Sequence, residues 1–290
     1  KRKTGFLMPG FSSVTGYGFG VETPFYWAIA PDYDATFNPR FTTRQGVLLQ
    51  GEFRQRLLNG SYQIRAYGIN QLDPGVYAGQ PGDRNFRGGV ESKGQFAISD
   101  KWVWGWDGVL LSDYYFMSDY RLAQYRDPLG SFLSLPTEAI SQLYLTGVGD
   151  RSFFDLRTIY YLSFSGNQDK VPVIHPVLDY SNVVNSPIFG GEFSYKTNLT
   201  SLTRNTAAFD PITTVANTQG LCLNVSADPL ARMPNACLLR GVPGTYTRAT
   251  VEAQWRKSFT DPIGQIWTPF AIVRADAIDA SISNQPGVSN

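Results

Sequence analysis

Few residues of this sequence have the types and spacing that covalent chemistry requires. The single histidine, His175, precedes a proline in VPVIHPVLDY, and no cluster of histidines or cysteines at metal-ligand spacing accompanies it. The carboxylates are spread over many segments without a clustered pair that the sequence can identify. We therefore interpret His175 as a structural residue and predict a protein that is not an enzyme and that uses neither a metal nor a cofactor.

Ionic recognition is the chemistry that remains, because arginine and glutamate recur in the middle of alternating segments. An arginine guanidinium pairs well with phosphate, so a minority of these charges could guide phosphorylated sugars, whereas a solvated wall is the default interpretation. Both interpretations stay open at this point. The charged candidates are Arg40, Arg44, Glu52, Arg54, Arg56, Arg248, Glu252 and Arg256.

The segments that carry these charges alternate with a period of two, as β-strands do. The pattern covers residues 33–44, 47–57, 62–68, 90–98, 154–162 and 247–256. Segments of about ten residues exceed the usual globular strand of about five or six and match a tilted strand that crosses a bilayer. We therefore predict an all-β fold, an antiparallel transmembrane outer-membrane β-barrel whose charged parity faces a water-filled lumen.

Aromatic residues end several of the apolar faces. Trp102, Trp104 and Trp106 fall on one parity of a single predicted strand, and Trp255 closes another. Tryptophan is enriched at both membrane–water interfaces, so we interpret these residues as interface anchors. The alternative is a platform on which carbohydrate stacks.

The connections between predicted strands are of two kinds. Most are short, but the connections over 72–88, 112–141 and 202–244 are long. Numbered from Gly5 along about thirteen strands, the long connections are all odd-numbered and every even-numbered one is short. Short periplasmic turns and long extracellular loops are typical of outer-membrane barrels, so the count places the first strand's start on the periplasmic side. An odd number of strands cannot close such a barrel, and we expect further strands beyond Asn290.

Two prolines interrupt the first two predicted strands, in GFLMPGFSSVTGYGFGVETPFYWAIA. Proline has no N–H to donate and is usually confined to edge strands, strand starts or bulges. Pro9 and Pro24 therefore indicate a weak sheet edge, although tolerance of both prolines at a barrel rim remains the alternative.

Composition agrees with strands and limits the partners. The 28 glycines, 14% aromatic residues and 17% charged residues favour strands and turns, and a net charge of +1 gives no indication of a nucleic-acid partner. No run of 18 apolar residues predicts a transmembrane helix, and the first residues, KRKTGFLMPG, do not resemble a signal peptide. Because the sequence starts at Lys1, we expect it to be an internal piece of a longer chain, with residues 1–290 forming part of one transmembrane β-barrel domain.

Two cysteines, Cys222 and Cys237, lie in the longest predicted loop. An even cysteine count in a cell-surface loop favours a disulfide, which would stabilise by about 3 kcal/mol for a loop of this size. Two free thiols are the alternative.

Three stretches resemble the LPS-assembly protein LptD family, also called the organic solvent tolerance protein (OstA) family. They are GFLMP at 5–9, PFYWAIAPDYDATFNPRFTTRQGVLLQGEFR at 24–54 and PGDRNFRGGVESKGQFAISDKWVWGWD at 81–107. The likeness is to the first half of that family's barrel, so the resemblance implies that a periplasmic N-terminal domain and the closing strands are absent.

The resemblance implies a function in the bacterial cell outer membrane. Members of that family form a barrel of roughly 26 strands that inserts lipopolysaccharide into the outer leaflet through a lateral gate between the first and last strands. Pro9 and Pro24 match the gate-weakening prolines, and Phe6 and Leu7 belong to the same edge. The implied partners are lipopolysaccharide, outer-membrane lipids, an LptE-like lipoprotein that plugs the lumen, and a periplasmic LptA-like bridge that binds the absent N-terminal domain.

Two other classes remain open on the sequence. A passive porin-like channel would share the barrel but would have no use for a weakened first strand. A soluble β-rich sugar-binding domain would share the alternation but would stay in aqueous buffer without detergent.

Overall fold

The computed structural model describes residues 2–122, 138–163, 168–212, 214 and 237–282. The chain divides into two compact units. The first comprises residues 1–143 and 162–165, and the second comprises residues 144–161 and 166–290. No described helix is long and apolar enough to cross a membrane.

The described part of the first unit consists of strands, with a short helix and a 3-10 turn in its long connections. The helix is α1 (Phe116–Asp119), and the 3-10 turn covers Pro74–Tyr77. Its strands are β1 (Gly5–Phe6), β2 (Gly10–Val14), β3 (Gly18–Glu22), β4 (Phe25–Trp27), β5 (Tyr33–Phe37), β6 (Arg40–Thr42), β7 (Gly46–Leu57), β8 (Gly60–Asn70), β9 (Phe86–Ser99) and β10 (Trp102–Leu111).

Two further strands, β11 (Glu138–Val148) and β12 (Ser152–Ser163), contribute residues to both units. The second unit also contains a 3-10 turn at Gln168–Lys170. Its remaining strands are β13 (Val173–Val183), β14 (Glu192–Arg204), β15 (Ala208–Pro211), β16 (Cys237–Gly241), β17 (Gly244–Arg256), β18 (Phe259–Thr260), β19 (Ile266–Trp267) and β20 (Phe270–Ile282).

Neighbouring strands of the first unit are antiparallel and follow the chain. The main path runs β1-β4-β5-β7-β8-β9-β10, and a second path runs β2-β3-β6 and joins β7. Counting each proline-interrupted strand once and leaving aside the short hairpins within connections, the described residues form thirteen strands. The prediction of an antiparallel all-β fold is confirmed, and the strand order is that expected of a β-barrel fragment.

One predicted strand is interrupted in the structure. The alternating segment 33–44 was expected to be a single strand, but it separates into β5 and β6 at Asn38 and Pro39. The alternation continues across the break because Phe37, Pro39 and Phe41 share a parity. Periodicity therefore cannot reveal the break, whereas the missing N–H of proline causes it.

The two parities have different environments at the start of β7. In β7, Val47 and Leu49 are 40% and 50% exposed, whereas Leu48 between them is completely buried. Leu48 packs in a core with Tyr17, Tyr67 and Phe116. At the start of β7 the apolar parity is therefore open, whereas Leu48 on the other parity is covered by residues that include Phe116 of the long connection.

The second unit has the order β12-β13-β14-β17-β20. β14 and β17 pair without a register shift from Glu192↔Arg256 to Arg204↔Gly244. In β13, His175 and Pro176 form a bulge, because two residues there stand opposite one residue on each neighbouring strand. A bulge is a position at which a strand tolerates proline.

The long connections lie close to their predicted places, at 71–85, 112–137 and 205–243. The expectation that every even-numbered connection is short is wrong for the last one. Residues 257–269 separate β17 from β20 and contain the hairpin of β18 and β19. Asp261 stabilises its turn by accepting backbone N–H bonds from Ile263 and Gln265.

Candidate functional site

Both predicted prolines lie at breaks in the first two strands of the sheet, where β1 is followed by β2 and β3 is followed by β4. Pro9 directly precedes β2, and Pro24 directly precedes β4. The Leu7 amide donates a hydrogen bond of 2.8 Å to the Pro24 carbonyl oxygen. Two residues of a hydrogen-bonded antiparallel pair normally exchange two such bonds, but Pro24 has no N–H for the second. This contact is therefore half of a regular pair.

The register also slips at these breaks. Gly5 pairs with Tyr26 on one side of the interruption and Gly10 pairs with Glu22 on the other, so the first strand contains one extra residue. Phe6 is 79% exposed, and its ring packs edge-on against Phe25 with centroids 5.1 Å apart. Among the described residues, no strand pairs with the other edge of β1.

Charged side chains link the start of the chain to β5 and β7. Asp34 is almost completely buried, and its carboxylate pairs with Arg2 and Arg54, each at 2.7 Å. Arg54 also contacts Glu52 at 3.4 Å. The structure thus brings the predicted residues Glu52 and Arg54 together on one face, where they form ion pairs with each other and with neighbouring strands.

The same row continues across β8 and β9. Arg65 contacts Glu52 at 3.0 Å and Glu91 at 3.8 Å, and the Tyr67 hydroxyl donates to Glu91 at 2.7 Å. Glu91 is 1% exposed. Buried charges are costly unless they are paired and hydrogen-bonded, and this row meets that condition across four adjacent strands.

Two predicted charges have surroundings that differ from a solvated wall. Arg40 is 6% exposed, forms an ion pair with Glu22 and donates to the Tyr120 carbonyl oxygen. Arg44 lies in the turn between β6 and β7, where it contacts Asp73 at 3.0 Å. The expectation of a solvated position is wrong for Arg40, because Tyr120 of a long connection folds onto it. Arg44 is half exposed, as expected, but it lies outside the strand because β6 ends at Thr42.

The remaining predicted charges lie on exposed or half-buried strand positions. Arg56 and Arg248 are exposed, and Arg256 pairs with Glu192 at 2.6 Å. Glu252 stands between Lys196 and Arg274 in the register of β14, β17 and β20. Whether these side chains face a lumen stays a prediction.

A groove of about 460 Å³ lies on the polar face of the second unit. Arg274 in this groove pairs with Asp276 at 2.9 Å, and Asn198 donates to Asp179 at 2.7 Å. Its charged and polar lining includes Asp179, Lys196, Asn198, Thr200, Arg248, Thr250, Glu252 and Arg274. Cations, carboxylates and hydroxyl groups therefore lie together on this face.

A buried ionic cluster, which the sequence does not reveal, holds α1 against β9. Arg87 is completely buried and donates to Asp113 through Nε at 2.9 Å and Nη2 at 2.7 Å. Nη2 also contacts Asp119 at 2.8 Å. The guanidinium lies over the rings of Tyr77, Phe116 and Tyr120 at 4.8–5.5 Å. The only hint in the sequence is the aromatic run YYFMSDY that follows Asp113.

Burial dominates the ionisation of the groups around Arg87. It raises the pKa of Asp119 above its ordinary value, by more than the hydrogen bond from Arg87 lowers it. Burial likewise raises the pKa of Tyr77 and Tyr120, so both phenols stay neutral near pH 7. The loop core therefore holds one cation between carboxylates and neutral aromatic rings.

Three predicted interface aromatics lie in the first half of β10, and the fourth lies near the end of β17. The ring centroids of Trp104 and Trp106 are 5.5 Å apart, and both rings stack with the ring of Phe96 in β9. Trp106 donates to the Ser92 hydroxyl, and Trp255 donates to the Ile188 carbonyl oxygen. Trp102 lies at a register shift at the start of β10. Their role as membrane anchors stays a prediction.

The remaining candidates are the single histidine and the two cysteines. His175 shares a hydrogen bond of 2.8 Å with the Thr203 hydroxyl at the bulge of β13. Cys237 begins β16, but Cys222 lies outside the described residues, so the disulfide stays a prediction. Within the described ranges, no group of three or more metal-ligating side chains is placed to hold an ion.

Comparison with known proteins gives one family. Residues 85–289 match the family model described as LptD: LPS transport system D. The LPS-assembly protein LptD of Shewanella frigidimarina is 30% identical over 69% of this chain, and the protein of that name from Pseudomonas aeruginosa UCBPP-PA14 is 34% identical over 41%.

A third relative, the LPS-assembly protein LptD of Shewanella oneidensis, is 45% identical over 25% of the chain. The matched regions cover 24%, 13% and 10% of these three relatives' own lengths, so the chain spans about a quarter or less of each. Because the family model matches more than half of the antiparallel, strand-built chain, the chain belongs to the LptD family.

Proposed function

We propose that this chain is part of an outer-membrane translocon that inserts lipopolysaccharide into the outer leaflet. The lipid leaves through a lateral gate between the first and last strands of the full-length barrel. Membership of the LptD family supports lipopolysaccharide as the substrate. The observation that carries the gate is the half-made pair between Leu7 and Pro24, because a first strand that is weakly held by the second strand can bend away from the last strand.

The energetics of that pairing favour opening. A backbone hydrogen bond contributes about 0.5–1.5 kcal/mol net, so each proline without an N–H weakens the pairing by about that amount. β1 contains only two paired residues, Gly5 and Phe6, and the register slips directly after them. A lipid that inserts next to Phe6 and Leu7 therefore displaces few hydrogen bonds.

The polar row from Asp34 to Glu91 provides the other half of the proposal. If this face lines the lumen, the sugar part of the lipid passes over paired charges while its acyl chains contact the apolar face. An LptE-like lipoprotein would then fill the remaining lumen, and an LptA-like bridge would deliver the lipid from the periplasm. The family resemblance supports both partners.

The gate is tested by restoring the missing donors in the full-length protein with Pro9→Ala and Pro24→Ala together. We expect lipopolysaccharide delivery to the cell surface to fall several-fold, because the added N–H groups hold the first strand more firmly in the sheet and keep it from bending away from the last strand. Site-specific crosslinking from Phe6 or Leu7 to lipopolysaccharide should fall in parallel. Pro31→Ala, in the exposed turn before β5, is the control and should change neither readout.

Two outcomes would contradict the proposal. Unchanged delivery in a double variant that folds and reaches the outer membrane would remove the gate role of Pro9 and Pro24. Rapid release of small solutes from vesicles that contain the native protein would favour a passive channel.

A further inference from the structure

The interruption at Pro39 repeats the arrangement at Pro24. Pro39 directly precedes β6, as Pro24 precedes β4. The Thr23 amide donates to the Pro39 carbonyl oxygen at 3.2 Å, and Pro39 cannot return the second bond of the pair. The third strand therefore contains a half-made pair of the same kind as the one between Leu7 and Pro24.

The three interruptions lie in line across the sheet. Phe25 pairs with Phe37 on one side of the line, and Glu22 pairs with Arg40 on the other, in one continuous register. The line ends at β7, which runs unbroken from Gly46 to Leu57. We call β1, β4 and β5 the outer block and β2, β3 and β6 the inner block, and both blocks reach β7.

The inner block is clamped to the long connections. Tyr17, in the turn between β2 and β3, stacks on Tyr120 with ring centroids 5.8 Å apart. Arg40 of β6 donates to the Tyr120 carbonyl oxygen and pairs with Glu22 of β3. The neighbouring Gln45 donates to the carbonyl oxygens of Gly16 and Asp73. Movement of this block would break a buried core.

The outer block is attached mainly to β7 and not to the buried core around Tyr120. Its ladder to β7 covers Tyr33↔Gln55 to Phe37↔Gly51, and its main side-chain tie is the ion pair of Asp34 with Arg54. Phe6, Trp27 and Phe37 are each about half exposed or more. Among the described residues, no hydrogen bond, ion pair or ring contact joins this block to Tyr120.

We propose that Pro39 is a third positioning residue of the gate. Its missing N–H carries the weak line through the third strand, so the outer block moves against β7 while the inner block stays fixed to Tyr120. The part that moves when the gate opens therefore contains three strands, β1, β4 and β5. This inference rests on the proposed function, because it assigns the moving part of the same gate.

The test is Pro39→Ala in the full-length protein in detergent and in cells. An alanine N–H at this position faces the Thr23 carbonyl oxygen and completes the pair. We expect amide hydrogen exchange of residues 25–27 and 33–37 to slow at least threefold, exchange of the inner block to stay unchanged, and lipopolysaccharide delivery to fall at least twofold. Pro176→Ala in β13, also a strand proline, is the matched control and should change none of these readouts.

A second variant separates the missing bond from packing. Thr23→Pro combined with Pro39→Ala exchanges donor and acceptor, so the pair is again half-made, and we expect exchange and delivery to return towards native values. If Pro39→Ala leaves exchange and delivery unchanged while Pro9→Ala with Pro24→Ala lowers delivery, the third-strand role is wrong and the gate stands. If the exchanged pair folds but does not restore delivery, Pro39 acts through packing and the inference is overturned. If no proline variant lowers delivery, the gate itself is wrong.

Discussion

Arg87 holds Asp113 through two parallel hydrogen bonds of 2.9 and 2.7 Å, and neither side chain reaches solvent. The fork geometry of a guanidinium matches a carboxylate, which makes such bidentate pairs stronger than single contacts. Because β9 carries Arg87 and the connection after β10 carries Asp113, the pair fixes the start of a long connection to the sheet. Asp119 of α1 extends the attachment.

Removal of the cation should loosen this connection. Arg87→Met leaves two carboxylates buried without their partner, which for a broken buried pair costs about 3–5 kcal/mol. We expect a large fall in the denaturant midpoint of the protein in detergent and rapid proteolysis after residue 111. The matched control is Arg44→Met, which breaks the exposed pair with Asp73 and should cost less than about 1 kcal/mol. Equal effects of the two substitutions would contradict a structural role of burial at Arg87.

Two strand glycines should respond in opposite directions to alanine. A Cβ on Gly94 would lie 2.5 Å from the Trp106 ring, which lies over Gly94 and donates a hydrogen bond to Ser92. A Cβ on Gly51 would have no atom within 4 Å. Gly94→Ala should therefore displace the indole and destabilise by about 1–3 kcal/mol. Gly51→Ala should be neutral or stabilise by up to about 1 kcal/mol, because alanine restricts the unfolded chain. Reversible unfolding in detergent, followed by tryptophan fluorescence, measures both, and a loss at Gly51 as large as that at Gly94 would refute the steric explanation.

The strands were predictable where the pattern is local. The alternation over 247–256 predicts one long strand, and β17 pairs there with β14 without a register shift. Pro39 was not predicted to interrupt its strand, because the apolar parity continues through it. The buried role of Arg87 depends on Asp113, which is distant in the sequence and becomes adjacent only when the connection folds back. A period-two pattern reports which face a residue occupies, but it contains no information on what later packs over that face.

The same limit applies to the charged candidates. Glu52 and Arg54 were predicted on the correct parity, since parity follows from the pleat. Burial of Arg40 depends on Tyr120, whose carbonyl oxygen it reaches across a long sequence separation. Composition and spacing therefore predict the strands and the faces of their side chains. The contacts that the long connections make with those strands can be known only from the folded structure.

The hairpin between β17 and β20 should depend on pH through Asp261. Its carboxylate accepts bonds from the Trp267 indole at 3.0 Å and from two backbone amides of the turn, and the indole bond is the largest cause that lowers the pKa of Asp261. A lowered pKa in the folded state means that the stabilisation is complete above the unfolded value of about 3.9 and is lost as the pH falls through the folded value. We therefore expect the hairpin to stay ordered at pH 5 and to loosen below about pH 4.

The indole ¹⁵N resonance of Trp267 in the labelled full-length protein reports this change, and Trp267→Phe assigns it. Asp261→Asn keeps one carbonyl-type acceptor for the backbone amides but cannot accept from the indole in the same way, since its second side-chain atom is a donor. The variant should show a shifted resonance already at pH 7 and no titration below pH 4. If the titration persists in Asp261→Asn, another group controls the hairpin, and the assignment of the pH dependence to this carboxylate is wrong.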